Sequence, residues 1–314
     1  MRDNPLVTVT LNPSIDKTVT VDELITGGLN RIISVRYDFS GKGINLSKAY
    51  HALGGETKAS GLMHSDDAEA FIRELEQKGI THDFVELDGR TRENLKAFDA
   101  KTSMITEINE SGNTVGSVEI ERITEKTGDL TKTAWAASFS GSIPPGCPED
   151  IYEKLVRIAK ENGAVTLLDC DGAMLKSGLC AEPDIIKPNL FELSQILGTA
   201  LETKKDMIDA ARGLIETYSI RFVAVTLGAD GAMLVTESMA YVALPLVLNV
   251  QSATGAGDTF AAGLLWALKQ GLDAPDMLRW GMAAASDAVT RPGTQVCTLA
   301  GTEQWIDKVV IEQY

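Results

Sequence analysis

Asp258, in the stretch 252–263 (SATGAGDTFAAG), stands between a glycine-rich turn and an apolar run. In GAGDTFAAGLLWALKQG, apolar residues at 256, 260, 264, 265 and 268 share one helical face, and Gly271 is suited to stop that helix. The helix is expected to begin near Gly255, where the first backbone N–H groups lack partners within it. Gly255, Ala256 and Gly257 would let that backbone approach a ligand closely, and free amides at the positive end of a helix attract phosphate oxygens. The dipole also favours the ionised form of an aspartate in the first turn. With an ordinary pKa of about 3.9 it is a ready proton acceptor. Phosphoryl transfer suits so weak a base, because its transition state is largely dissociative and the base mainly orients the attacking hydroxyl. A plain helix-start role is the alternative. Two other glycine motifs fail: G-x-G-x-x-G would need glycine where Phe260 stands, and in a Walker loop Lys42 would not be followed by Gly43.

A second glycine loop, Ser40-Gly41-Lys42-Gly43-Ile44-Asn45, also precedes a helix. Gly41 permits close backbone approach, Lys42 supplies charge, and Asn45 can donate to and accept from hydroxyls. Asp16, in LNPSID, follows the first strand and can accept from two sugar hydroxyls or serve as a turn residue. Arg92, in GRTREN, carries a planar fork suited to phosphate, unless it is a surface charge. Arg31, in GGLNR, is a weaker candidate of the same kind. Ser142, in SGSIPPG, reaches a substrate hydroxyl or phosphate, or caps a turn. In KPNLFE, Asn189 and Glu192 are three apart and share a helix face; together they can hold a hydrated Mg²⁺, or Asn189 is only an N-cap. TLGADG (226–231) is a glycine turn for a nucleotide's ribose or phosphates, or simply a hairpin.

Composition removes other classes. The 314 residues are 44% hydrophobic, enough for a substantial core, and carry a formal net charge of −15. Such a surface repels nucleic acid and anionic membranes, so neither is expected as a partner. An anionic substrate needs a local basic pocket. Cys147, Cys170, Cys180 and Cys297 show neither C-x-x-C nor metal spacing, and three histidines without H-E-x-x-H give no support for a zinc enzyme or a Ser-His-Asp hydrolase. The cysteines read as reduced thiols of a cytosolic protein. The N-terminus lacks the features of a signal peptide, and no apolar run approaches a membrane span, so a soluble cytoplasmic protein is expected.

The elements that must position these residues alternate. LVTVTL, TKASGLM, AWAASFSGS, AVTLLDC and PDIIKPN read as strands. Segments 43–55, 66–79, 149–163 and 190–198 read as helices between them, and 221–235 as containing a strand, a glycine turn and another strand. Two helices, 255–270 and about 274–290, end the pattern. Strands separated by helices imply parallel βαβ units, with ligands beyond the carboxyl ends of the strands. The rhythm breaks at 18–38 and 82–120, where short alternating segments without a convincing helix suggest a small sheet or lid inserted in a single domain.

In chain order LNPSID, SGKGIN, GRTREN, SGSIPPG, KPNLFE, TLGADG and GAGDTFAAG resemble the ribokinase-like (PfkB) family of sugar kinases, across nearly the whole chain. TLNPSID, GLNR, TREN and TEINESG resemble its sugar-phosphate kinase branch. The resemblance implies a three-layer α/β/α fold with a mostly parallel central sheet. A β-lid would be formed by roughly 14–40 and 88–120 of one domain spanning 1–314. It implies ATP with Mg²⁺, and Asp258 as the base. Asp16, Gly41, Lys42, Asn45, Arg92 and Ser142 would line the sugar site, and Arg31 would reach a partner subunit of a lid-paired homodimer. Lys187, Asn189, Thr226, Gly228 and Gly231 would face the nucleotide, with Glu192 near the metal. The expected reaction is phosphorylation of fructose 1-phosphate on its C6 hydroxyl, with tagatose 6-phosphate and fructose 6-phosphate as alternative substrates and a non-catalytic sugar-phosphate-binding protein as the alternative of another class. The family usually carries two glycines before the loop lysine; here the first is Ser40.

Overall fold

The computed structural model describes residues 4–314. The chain opens with β1 (Leu6–Thr10), β2 (Ser14–Val21), β3 (Ile32–Ser40) and α1 (Lys42–Ala52). It continues through β4 (Thr57–His64), α2 (Ser65–Gln77), β5 (Thr81–Leu87), β6 (Arg92–Asp99), β7 (Met104–Asn109) and α3 (Ser117–Thr131). The middle holds β8 (Ala136–Ser140), α4 (Ile151–Glu161), β9 (Val165–Asp169), α5 (Gly172–Leu179), β10 (Ile185–Ile186), α6 (Leu190–Leu197) and α7 (Lys204–Tyr218). It ends with β11 (Phe222–Thr226), β12 (Ala232–Val235), β13 (Ala240–Ala243), α8 (Ala256–Lys269), α9 (Ala274–Val289), α10 (Leu299–Ile306) and β14 (Ile311–Gln313).

Ten strands form one sheet in the order β14-β13-β12-β11-β10-β9-β8-β1-β4-β5. From β11 through β5 the neighbours run parallel, and β12, β13 and β14 are antiparallel additions at one edge. Strand alternation splits the core in two. Val7, Val9, Phe139 and Leu168 join α3, α4, α5, α6 and α7 on one face, while Leu6, Ala136 and Leu167 join α1, α8 and α9 on the other. Helices on both faces make the three layers expected, and they explain why these strands are near-continuous apolar runs.

A separate four-stranded sheet has the order β3-β2-β6-β7. Its extent corrects the expected lid boundaries. Residues 81–87 pair with β4 in the main sheet, and from Ser117 the chain is helical, with Ile120 and Ile123 buried in the core. The apolar positions 120 and 123 and the Gly116–Glu119 capping arrangement are a helix start that the alternation of 82–116 obscured. Likewise α10 and β14 follow the two helices at which the sequence pattern stopped. Among the described residues no helix is long and apolar enough to cross a membrane.

Candidate active site

A cavity of about 390 Å³ lies between the two sheets, at the carboxyl ends of the parallel strands. The main sheet and its helices contribute Lys42, Asn45, Lys187, Asn189, Glu192, Thr226, Gly255, Gly257 and Asp258; the small sheet contributes Ser14, Asp16, Ser40, Arg92, Asn94 and Glu107.

The helix α8 starts where expected. Gly255 is its N-cap, with φ 79°, a left-handed conformation that glycine adopts without strain. The Ala256 N–H is spent on the Ala253 carbonyl at 3.2 Å, so Ala256 leaves the expected set of anion donors. The Gly257 and Asp258 amides find no backbone partner among the described residues and supply the open end of the helix. The Asp258 carboxylate accepts a hydrogen bond from Asn45 Nδ2 at 2.9 Å, and the same amide donates to Ser40 Oγ at 3.2 Å. Serine in place of the family's glycine thus gives Asn45 a second acceptor. Asn45 Oδ1, buried, has no protein partner. It is an acceptor available to a hydroxyl donor.

Burial pushes the Asp258 carboxyl up, Asp169 adds repulsion, and the pull of Lys42, Asn45 and Lys187 is too small to cancel them, leaving the group at about 6. The helix dipole was expected to favour the charged form; desolvation and a second carboxylate win instead. At neutral pH the group is still ionised, but a stronger base than an ordinary aspartate.

Asp169, at the end of β9, was not anticipated from sequence. It is 1% exposed and binds Lys42 Nζ at 2.8 Å and Lys187 Nζ at 3.0 Å. Burial works against its charge, yet the two ammonium groups outweigh burial and hold it below the usual carboxylate range. A Cβ on Gly257 would sit 3.4 Å from Lys187 Nζ, so this lysine lies against the helix entrance. The sequence signal was present: a carboxylate at the carboxyl end of an apolar strand, where ligands of parallel sheets bind.

On the small sheet, the parallel register of β2 and β6 sets Ser14 opposite Arg92 and Asp16 opposite Asn94. Asp16 is buried and accepts from Ser14 Oγ at 3.0 Å, Asn94 Nδ2 at 3.0 Å and Lys96 Nζ at 2.7 Å. Asn94 and Lys96 were missed, although R-x-N-x-K has the strand period that puts all three on one face. Arg92 donates to the carbonyls of Asn12 (3.0 Å) and Glu110 (3.0 Å), which aim its guanidinium at the cavity mouth.

Asn189 and Glu192 form a reciprocal N-terminal cap of α6: Asn189 Oδ1 accepts from the Glu192 amide and Glu192 Oε2 from the Asn189 amide, both at 2.8 Å. Cap and cavity lining coexist here, since both residues also line the site. Thr226 is bridged to Asn189 between adjacent strand ends. Five expected residues do not line the cavity, Ala256 among them. Ser142 is exposed and accepts from Asn12 Nδ2 at 3.3 Å. Arg31 is exposed at the far end of the small sheet. Gly228 and Gly231 shape the β11–β12 turn, and a Cβ on Gly231 would lie 2.2 Å from the Ala243 carbonyl oxygen, so strand packing alone accounts for that glycine.

A doubly covered parallel sheet, an aspartate at a helix entrance and, under a small sheet, a cavity that sets Lys42, Lys187 and Arg92 among carboxylates are features of a carbohydrate kinase. The profile of the pfkB family carbohydrate kinases matches residues 7–300, and the chain belongs to that family. It is 33% identical to a 1-phosphofructokinase of Rhodobacter capsulatus over 92% of this chain and 91% of that one. It is 31% identical to a 1-phosphofructokinase of Bacillus subtilis over 98% of both. Among solved structures, phosphofructokinase-2 from Escherichia coli in complex with potassium superposes with TM-score 0.91 at 25% identity, covering 97% of this chain and 99% of that one. A possible 1-phosphofructokinase from Thermotoga maritima gives 0.89 at 27% identity, covering 98% and 99%. The protein is an ATP-dependent sugar-phosphate kinase.

Proposed function

We propose that this enzyme transfers the γ-phosphoryl group of ATP to the C6 hydroxyl of fructose 1-phosphate, giving fructose 1,6-bisphosphate and ADP. The observation that carries the reading is the seat of Asp258 beside the open Gly257 and Asp258 amides, with its carboxylate held by Asn45. Asp258 accepts the hydroxyl proton as O6 bonds to the γ-phosphorus and the bond to ADP breaks. The two amides, Lys42 and Lys187 stabilise charge on the transferring group. Asp16, Asn94 and the unpaired oxygen of Asn45 bind sugar hydroxyls, and Arg92 binds the phosphate already on the sugar. The small sheet excludes water, which protects ATP from hydrolysis.

Lys187, Asn189 and Thr226 lie on the nucleotide side. A Mg²⁺ ion, held through water by Glu192 and Asn189, would neutralise charge on the β- and γ-phosphates. The fit is chemical: all-oxygen donors, one Glu192 carboxylate oxygen uncommitted by the cap, and a site that leaves room for the ion's own waters.

The outer face of the small sheet supports a homodimer. Ile33, Tyr37, Met104 and Ile108 are 65%, 55%, 67% and 62% exposed. Pairing two such faces would cover them and bring Arg31 toward the neighbouring site. A cytoplasmic setting fits the four free thiols.

The test is ADP release with MgATP against fructose 1-phosphate, fructose 6-phosphate, tagatose 6-phosphate and fructose. Fructose 1-phosphate is expected to give the highest kcat/KM, with a product carrying phosphate on C1 and C6. A higher value for tagatose 6-phosphate or fructose 6-phosphate reassigns the substrate, and no sugar-dependent ADP release rejects the kinase.

A further inference from the structure

Arg36, on β3, has no part in the reaction above. Its guanidinium is spent locally: Nε donates to Asp38 Oδ1 and Oδ2 at 2.9 Å, and Nη2 to Oδ1 at 2.6 Å. The remaining edge leaves the small sheet, and Nη1 donates to the Pro292 carbonyl at 3.0 Å, 256 residues away in sequence. The next residue is shaped for this contact. Gly293 has φ 66°, and a Cβ there would lie 2.7 Å from Arg36 Cζ and 2.8 Å from Nε.

Pro292 follows the end of α9. Turn bonds from Thr290 to Asp287 (3.2 Å) and from Arg291 to Ala288 (3.0 Å) fix it to that helix end. There the Val289 carbonyl accepts from the amides of Gln251 (2.8 Å) and Ser252 (3.3 Å), and Ser252 Oγ accepts from Thr254 at 3.3 Å. Thr254, Gly255 and Gly257 line the active cavity. The segment ahead of Gln251 is held near its start, where the Leu244 amide donates to the Val310 carbonyl at 2.9 Å and Leu246 packs on the core; residues 244–250 otherwise form no regular structure, and Val247 is 100% exposed. At the other end Asp38 is the cross-strand partner of Asp16. Asp16 lines the active cavity, whereas Arg36 and Asp38 line a neighbouring one, so the chain of contacts reaches the active cavity through Asp16 at one end and Thr254 at the other.

We propose that Arg36 is a positioning residue that clamps the small sheet to the 251–257 segment, so that the phosphoryl cradle is held in register with the sugar side of the site. The proposal rests on the kinase reading. The clamp carries no ligand itself; its loss lets the cradle drift from the geometry that the transition state needs, and misplacement of that kind lowers kcat more than substrate affinity.

The experiment uses the full chain as Arg36→Met, Arg36→Lys, Gly293→Ala and the Arg36→Met/Gly293→Ala double variant. Kinetics with fructose 1-phosphate and MgATP are measured beside amide hydrogen exchange of 251–258. Arg36→Met is expected to lower kcat about 10- to 100-fold, the value of one lost charge-assisted contact, with the sugar KM within about 3-fold. Arg36→Lys recovers part of the loss, and Gly293→Ala repeats it by blocking the seat. The double variant is no worse than the poorer single one, because both remove one contact. Exchange at 251–258 quickens in every impaired variant. Wild-type kcat in a folded Arg36→Met or Gly293→Ala protein, multiplying losses, or unchanged exchange overturns the clamp. Should Arg36→Met not fold, Arg36→Lys and Gly293→Ala decide by the same measures. If the wild type transfers no phosphate, the kinase reading fails, while exchange still reads the clamp.

Discussion

Every residue of β1, β8 and β12 is buried, whereas every residue of β7 and the first four of β3 are exposed. The main sheet is covered on both faces, so its strand ends are fixed by packing from two sides. They carry Asp169, Lys187 and the entrance to α8, the groups to which the proposed function gives the chemistry. The small sheet presents one polar face to the cavity and leaves an apolar face uncovered in the single chain. It carries Asp16, Asn94 and Arg92, to which the proposed function gives the sugar phosphate. On the proposed function, preorganised electrostatics sits on the layer packed from both sides and recognition on the layer packed from one. Lesions in the main layer are therefore expected in kcat, and lesions of the cavity-facing sugar-side residues of the small sheet in KM; Arg36, which faces no ligand and acts through the 251–257 segment, belongs with the first group.

Asp258→Asn tests that division most severely. Loss of a general base costs about 10²- to 10⁴-fold in kcat, and with the cavity intact the sugar KM stays near wild type. Near-normal turnover would remove Asp258 from the chemistry. The pH profile is the companion measurement. With Asp258 at about 6, kcat/KM is level above that pH and falls about tenfold per unit below it. The fall is absent from the residual rate of Asp258→Asn; if it persists there, the titrating group is another, such as the substrate phosphate.

Arg92→Ala probes the small sheet. Its guanidinium is tethered by backbone carbonyls at the cavity mouth, and its removal would take away the charge-assisted contact proposed for the sugar's phosphate. The sugar-phosphate KM is expected to rise about 10- to 100-fold while kcat at saturation changes less. An equal loss for fructose and fructose 1-phosphate would mean that Arg92 serves the fold and not the phosphate.

The same aspartate carries a cost in stability. In the unfolded chain its carboxyl titrates near about 3.9, and in the native state at about 6. The native state thus binds the proton more tightly, and stability falls as pH rises through that window. Asp258→Asn is expected to melt several degrees above wild type at pH 7.5, the gap closing toward pH 4. An unchanged melting temperature at pH 7.5 would show that Lys42 and Lys187 fully compensate the buried charge.

The main layer was legible in sequence because doubly buried strands and their helices leave runs such as LVTVTL and AVTLLDC, bounded by turn residues. Asp258 and the glycine loop were legible because helix entrances that bind anions constrain local residue type. The sites' second partners were not. Asp169 meets Lys42 across 127 residues of sequence, and no local pattern records that pairing. Lys96 meets Asp16 through strand register, which exists only once β2 and β6 lie side by side. Arg31 posed the opposite problem: the residue was noticed, but its setting depends on a surface that one chain does not cover.

That uncovered face gives the smallest expected effect and the sharpest test of the contrast between layers. Phe139→Ala, in a fully buried strand, should cost about 3–5 kcal/mol of unfolding free energy, from lost burial and the cavity left behind. Ile108→Ser removes an apolar side chain of comparable chemical character, but one already 62% exposed. In the monomer it should change stability by less than about 0.5 kcal/mol. Its effect belongs to association: with the face paired in a dimer, the substitution raises the dissociation constant read by sedimentation while leaving dilute-monomer melting unmoved. A loss of monomer stability near that of Phe139→Ala would mean that the outer face packs within its own chain, and the separation between a fixed layer and an open one would fall.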